Sequence, residues 1–176
     1  MHTYIALFRG INIGGKHILP MPELVGILRG MGCEKVKTYI QSGNVVFQSK
    51  KQRAVLAGEI SAKILQRYDF EPKVLLLEPT ELQEAVANNP FATDEGKALH
   101  FFFLESFPAN PDLERLMTVK AKSEKFKLRK KIFYLYTPDG VGRSKLATKV
   151  EQSIGVAVTA RNWNTVSKLL AMVKQP

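Results

Sequence analysis

Apolar residues along the chain fall into short continuous runs and helically spaced stripes, and the order of the two kinds repeats once. Thr3–Phe8 is an apolar run of strand length. Pro22 then suits the first turn of a helix, and Leu24, Ile27, Leu28 and Met31 recur at helical spacing until Gly32 ends it. Val36–Ile40 and Val45–Gln48 read as strands around the turn-forming Gln41-Ser42-Gly43-Asn44. Leu56, Ile60, Ile64 and Leu65 mark a longer helix, and Pro72–Glu78 a strand. Pro79-Thr80-Glu81 opens a helix that stops near Asn88-Asn89-Pro90.

The same order then restarts. Leu99–Leu104 is a strand, and Asn110 with Pro111 opens a helix through Leu113, Leu116 and Met117. Phe126–Leu128 and Ile132–Tyr136 form a hairpin about Arg129-Lys130-Lys131. Ser144 caps a helix carrying Leu146, Val150 and Ile154, and Val156–Thr159 is the last strand. Asn162 or Asn164 caps a final helix with Val166, Leu169, Leu170 and Val173. The element order thus repeats at an offset of roughly 90–95 residues, although the residues themselves do not. The expected fold is α+β: two tandem ferredoxin-like (βαββαβ) units, each with an extra C-terminal helix, over 1–90 and 91–176. Strands such as Ile5-Ala6-Leu7-Phe8 and Phe101-Phe102-Phe103-Leu104 are apolar in both alternating sets, so both of their faces should be covered. An open sheet on which RNA bases stack is therefore not expected.

Charge changes this picture most. The net charge is +10. Between Arg115 and Lys149 stand eleven basic residues against two acids, Glu124 and Asp139, a net nine of that excess. Such asymmetry points to a polyanionic partner, and a merely solvated basic face is the plainer reading. Lys125, Lys127 and Arg129 alternate with Phe126 and Leu128, which gives either a charged edge strand or a track for nucleic-acid phosphates.

Four polar loops carry the candidate chemistry. Gly10 to Lys16 fits the G-x-x-x-x-G-K spacing of a phosphate loop. His17 stands where such a loop needs Ser or Thr, and Pro20 and Pro22 bar a helix from starting at Lys16. The segment is better read as an anion-binding glycine loop of Arg9, Asn12, Gly14, Gly15 and Lys16, or as a structural turn. Ser42 and Asn44, in the next turn, should lie beside it on one sheet edge. Arg143-Ser144-Lys145 is a basic, glycine-flanked helix start that suits phosphate. Arg161 and Asn164 should lie near it, with Trp163 as a packing anchor.

A catalytic set does not emerge. His2, His17 and His100 have no metal-ligand spacing, and no metal or cofactor is expected. Cys33 is the only cysteine, so no intramolecular disulfide is possible. Neither Ser42 nor Ser144 sits in a nucleophile elbow, and Glu78 and Glu81 define no acid–base pair. The N-terminus carries no charged segment followed by a long apolar run, and no apolar stretch is long enough for a bilayer. A cytoplasmic location and no membrane partner are expected, and the oligomeric state is not legible.

Several long motifs resemble one bacterial family, catalogued as domain of unknown function 1697. They are Leu7-Phe8-Arg9-Gly10-Ile11-Asn12-Ile13-Gly14-Gly15, Thr38-Tyr39-Ile40-Gln41-Ser42-Gly43-Asn44-Val45-Val46-Phe47, Asn89-Pro90-Phe91, Gly142-Arg143-Ser144-Lys145-Leu146 and Thr159-Ala160-Arg161-Asn162-Trp163-Asn164-Thr165. The resemblance runs in order from the first strand to the last helix. It implies a bacterial cytosolic protein and brings no reaction or ligand with it. The residues themselves favour binding of a phosphate-bearing ligand, nucleic acid or nucleotide first. The competing expectation is an enzyme acting on a phosphorylated small molecule, with Arg9, Lys16, Arg143 and Arg161 holding the phosphate. The plainest is a partner-binding module with a solvated basic face.

Overall fold

In the computed structural model, which describes residues 1–175, the chain alternates strands and helices in an order that occurs twice. The first round is β1 (His2–Arg9), α1 (Met21–Gly30), β2 (Glu34–Tyr39), β3 (Asn44–Ser49), α2 (Arg53–Tyr68), β4 (Lys73–Leu77) and α3 (Pro79–Ala87). The second is β5 (Leu99–Leu104), α4 (Leu113–Val119), β6 (Lys125–Arg129), β7 (Ile132–Tyr136), α5 (Lys145–Ile154), β8 (Val158–Asn162) and α6 (Trp163–Lys174). A single 3-10 turn, Val141–Arg143, precedes α5. Two four-stranded sheets result, ordered β2-β3-β1-β4 and β6-β7-β5-β8, and every neighbouring pair is antiparallel.

The chain divides into two compact units, Met1–Gln83 with the segment from Lys168 onward, and Glu84–Ser167. Helices α3 and α6 each contribute residues to both. In the first unit Ala6, Phe8 and Phe47 point into a core closed by Leu24 and Leu28 of α1 and Leu56, Ile60 and Ile64 of α2. In the second, Phe102, Leu104, Phe133 and Leu135 pack with Leu116 of α4 and Leu146, Val150 and Ile154 of α5. Each such Leu, Ile, Val or Phe side chain, fully buried, contributes about 1.5–3 kcal/mol.

Strands β1 and β5 are buried on both faces, as their doubly apolar runs predict: Tyr4–Phe8 and Leu99–Leu104 are all inaccessible. In the second unit the face away from α4 and α5 is met by Ala85 and Trp163 of the same unit. The Tyr134 hydroxyl donates to the Ala85 carbonyl at 2.6 Å, and the Phe101 and Trp163 rings lie 5.9 Å apart.

Two local expectations need correction, and one alternative is decided. Helix α4 is capped by Asp112, whose side chain accepts from the Arg115 N–H at 3.0 Å, and not by Asn110. The helix starts two residues later than expected, at Leu113, and Met117 is exposed. The last strand is Val158–Asn162 rather than Val156–Thr159, because its register against β5 starts at Leu104↔Val158 and runs to His100↔Asn162. Arg161 is therefore a strand residue. Asn162, not Asn164, caps α6, accepting from the Thr165 N–H at 3.0 Å.

Candidate functional site

The two polar loops of the first unit meet. Leu7 pairs with Asn44 in the β1–β3 ladder, and the Phe8 N–H donates to the Gly43 carbonyl at 2.9 Å. Beyond Arg9, which pairs with Lys73, the chain makes a small hairpin in which Ile13 bridges Lys16. Its two central residues, Gly14 and Gly15, have φ of 56° and 72°, the pair of positive values that a tight type I′ turn demands. Gly14, Gly15 and Lys16 are exposed at its tip.

Asn12 holds the loop in place. Its side-chain amide donates to the Leu19 carbonyl at 2.9 Å and to the Gln41 carbonyl at 2.8 Å, and its Oδ1 accepts from the Leu19 N–H at 2.7 Å. Asn44 is fully buried and donates to the Tyr39 carbonyl and to Ser42 Oγ. Both asparagines thus spend their amides on shaping the loops, while the glycine tip and Lys16 face solvent. The His17 ring stacks on Phe70 at 4.7 Å, and α1 begins only at Met21, so no helix end points at the glycine turn.

The second unit gathers the other candidates at one end of its sheet. The C-terminal ends of β7 and β8 and the N-terminal ends of β5 and β6 coincide there. The chain leaves β7 through Thr137, whose N–H donates to the Ala98 carbonyl at 2.8 Å. It turns through Gly140 and the 3-10 segment, and enters α5 at Ser144. Ser144 is buried and accepts from the Ala147 N–H at 3.0 Å, so its hydroxyl is an N-cap. Arg143 and Lys145 on either side are exposed, and the first turn of α5 has no acid. The positive end of the helix dipole therefore carries two further positive charges and favours an anion. Arg161 lies opposite Phe101, and burial lowers its pKa to about 10, so it stays charged at neutral pH. Asn164 packs directly over Gly96.

Strand β6 is an edge strand, and its exposure alternates. Phe126 and Leu128 turn toward the core of the unit, while Lys125, Lys127 and Arg129 share the opposite face. Arg129 is tied down, donating to the Asn88 carbonyl just beyond α3 at 2.7 Å, and Lys130 pairs with Glu84 at 3.1 Å.

Sequence reasoning missed several residues at this end. Glu124 is buried, with Oε2 accepting from the Ala121 N–H and Oε1 from the Thr137 hydroxyl. His100 is buried with Nδ1 unpartnered, and burial lowers its pKa. Phe91 lies 6.3 Å from Tyr136, with its loop closed by reciprocal hydrogen bonds to Asn89. The Glu124–Thr137 and Phe91–Tyr136 contacts join residues 13 and 45 apart in the chain, which no local pattern carries. Among the described residues no group of three or more His, Cys, Asp or Glu could hold a metal ion, and no helix is long and apolar enough to cross a membrane.

Residues 1–134 match the family model described as protein of unknown function (DUF1697). The chain is also similar to a solved structure, the conserved bacterial protein SP0830 from Streptococcus pneumoniae. The two are 26% identical over 97% of this chain and 98% of that one, with a TM-score of 0.71. No curated protein matches the chain.

Proposed function

Because this chain belongs to the DUF1697 family of proteins of unknown function, no inherited activity constrains its site, and we propose from its own residues that it binds a phosphate-bearing ligand, nucleic acid first. The observation that carries this reading is the edge strand β6. Lys125, Lys127 and Arg129 stand on one face about 6.8 Å apart, the spacing of alternate residues in a strand. Cations so arranged, with Arg143 and Lys145 exposed on the loop and helix that follow β7, offer a track to a phosphate backbone.

The order β2-β3-β1-β4, repeated as β6-β7-β5-β8, with antiparallel neighbours throughout, supports reading each unit as ferredoxin-like, with α3 and α6 as the added helices. A lone, buried Cys33 suits a cytoplasmic setting. The glycine tip with Lys16 is the anion loop of the first unit in this reading.

The reading is tested by the affinity of the full chain for labelled mixed-sequence RNA and DNA across a salt series, with Lys125→Ala/Lys127→Ala as the comparison. Arg129 is left intact because its bond to Asn88 gives it a structural role.

A further inference from the structure

We propose that the end of the second unit's sheet where β6 begins and β7 ends takes unpaired bases, so that the ligand is single-stranded nucleic acid rather than duplex. This rests on the nucleic-acid reading above and narrows it.

Three features meet there. Lys125 stands directly opposite Tyr136, so the two side chains share a face with their Cβ atoms about 5 Å apart. Phe91 lies 6.3 Å from the Tyr136 ring, at an interplanar angle of 38°. Both rings are only half-buried, unlike the neighbouring Tyr134, which is fully covered. The aromatic pair is held ready: Asn89 clamps the Phe91 backbone through bonds of 2.8 and 3.1 Å, and Tyr136 belongs to a ladder.

Cations border the rings. Lys127 follows Lys125 on the same face, and the loop leaving Tyr136 leads within seven residues to the exposed Arg143. Partly open aromatic faces flanked by cations are what single strands need. Bases stack on rings only when they are unpaired, and the backbone follows the positive charges. A duplex hides its base faces and would meet only the cations. The sheet itself is covered on both faces, so stacking is confined to this end and to one or two bases.

The test is fluorescence anisotropy with the full chain and four labelled probes of one length: single-stranded RNA, single-stranded DNA, an abasic DNA strand and a DNA duplex. The two single strands should bind at least about tenfold more tightly than the abasic strand, because one stacked base is worth about that factor. The RNA and DNA arms show which sugar is preferred. Phe91→Ala and Tyr136→Leu should each remove most of that advantage while leaving the affinity for the abasic strand unchanged. Equal binding of intact and abasic strands by the unaltered protein would overturn the stacking inference and leave the polyanion reading standing. No binding to any probe at low salt would remove the polyanion reading and the inference with it.

Discussion

The side-chain amide of Asn12 donates to the carbonyl of Gln41 at 2.8 Å, and this one bond fastens the glycine loop after β1 to the turn between β2 and β3. Asn12 and Gln41 are 29 residues apart in the chain, and the two segments, with the strand ends Arg9 and Asn44 that flank them, carry every candidate ligand residue of the first unit.

Asn12 also has φ of 54°, in the left-handed region. Asn12→Ala loses three hydrogen bonds and places a Cβ-bearing residue without a local polar group at that φ. A loss of about 2–4 kcal/mol is expected. Asn12→Gly loses the same bonds without the backbone strain and should be less harmful by about 1 kcal/mol. Urea unfolding of the two variants measures both terms.

Gly43 and Gly140 both have positive φ, 81° and 97°, but their surroundings differ. A Cβ on Gly43 would come within 2.6 Å of Phe8 Cβ and of the Ile11 side chain, whereas one on Gly140 meets nothing within 4 Å. Gly43→Ala should therefore cost at least about 3 kcal/mol more than strain alone would, through overpacking, whereas Gly140→Ala meets only the strain of its φ 97°, ψ 138° backbone, about 1–3 kcal/mol. Equal losses for the two would refute the close approach of the β2–β3 turn to β1.

How much of this was legible in the chain depends on the range of the determining interaction. Strands β5 and β7 were legible to the residue because Leu99–Leu104, broken only by His100, and Ile132–Tyr136 are apolar and aromatic runs with turns beside them. Ser144 as a cap was legible because capping is decided within one turn. The meeting of the Arg9–Lys16 loop with Gln41–Asn44 followed from element order alone. Strand β8 was misplaced because Val156-Ala157-Val158 looks like a strand, while its pairing with β5 begins only at Val158. The Glu124–Thr137 contact, the burial of His100 and the Phe91–Tyr136 pair were invisible because each depends on residues far apart in the chain.

His100 predicts acid sensitivity. Burial lowers its pKa below the usual 6.5, so the unfolded chain binds a proton there more readily than the folded one. Stability should be complete above pH 6.5 and be lost as the pH falls from there through the folded pKa. His100→Phe should flatten the stability profile in that window. A profile unchanged by the substitution would show that the imidazole does not resist protonation.

Tyr134 predicts the opposite limit. Burial raises its pKa to about 12, against the opposing pull of Arg129, and its hydroxyl donates to the Ala85 carbonyl. Its contribution is fully present below pH 10 and is lost as the pH rises toward 12. Tyr134→Phe leaves that carbonyl without its donor and should cost about 1 kcal/mol at neutral pH. It should also weaken the alkaline fall. Thermal unfolding at neutral and alkaline pH checks both.

The central claim is that cations on β6 hold a phosphate backbone, and the most direct test is the salt dependence of binding to mixed-sequence single-stranded RNA and DNA. The logarithm of the association constant should fall linearly with the logarithm of salt concentration. The slope should become shallower by about 1.4 when Lys125 and Lys127 are both replaced by Ala, as two phosphate contacts on a single strand require. An unchanged slope in the double variant, or no binding at low salt, would contradict the account. The second result would turn attention to a phosphorylated small molecule at the Arg9–Lys16 loop.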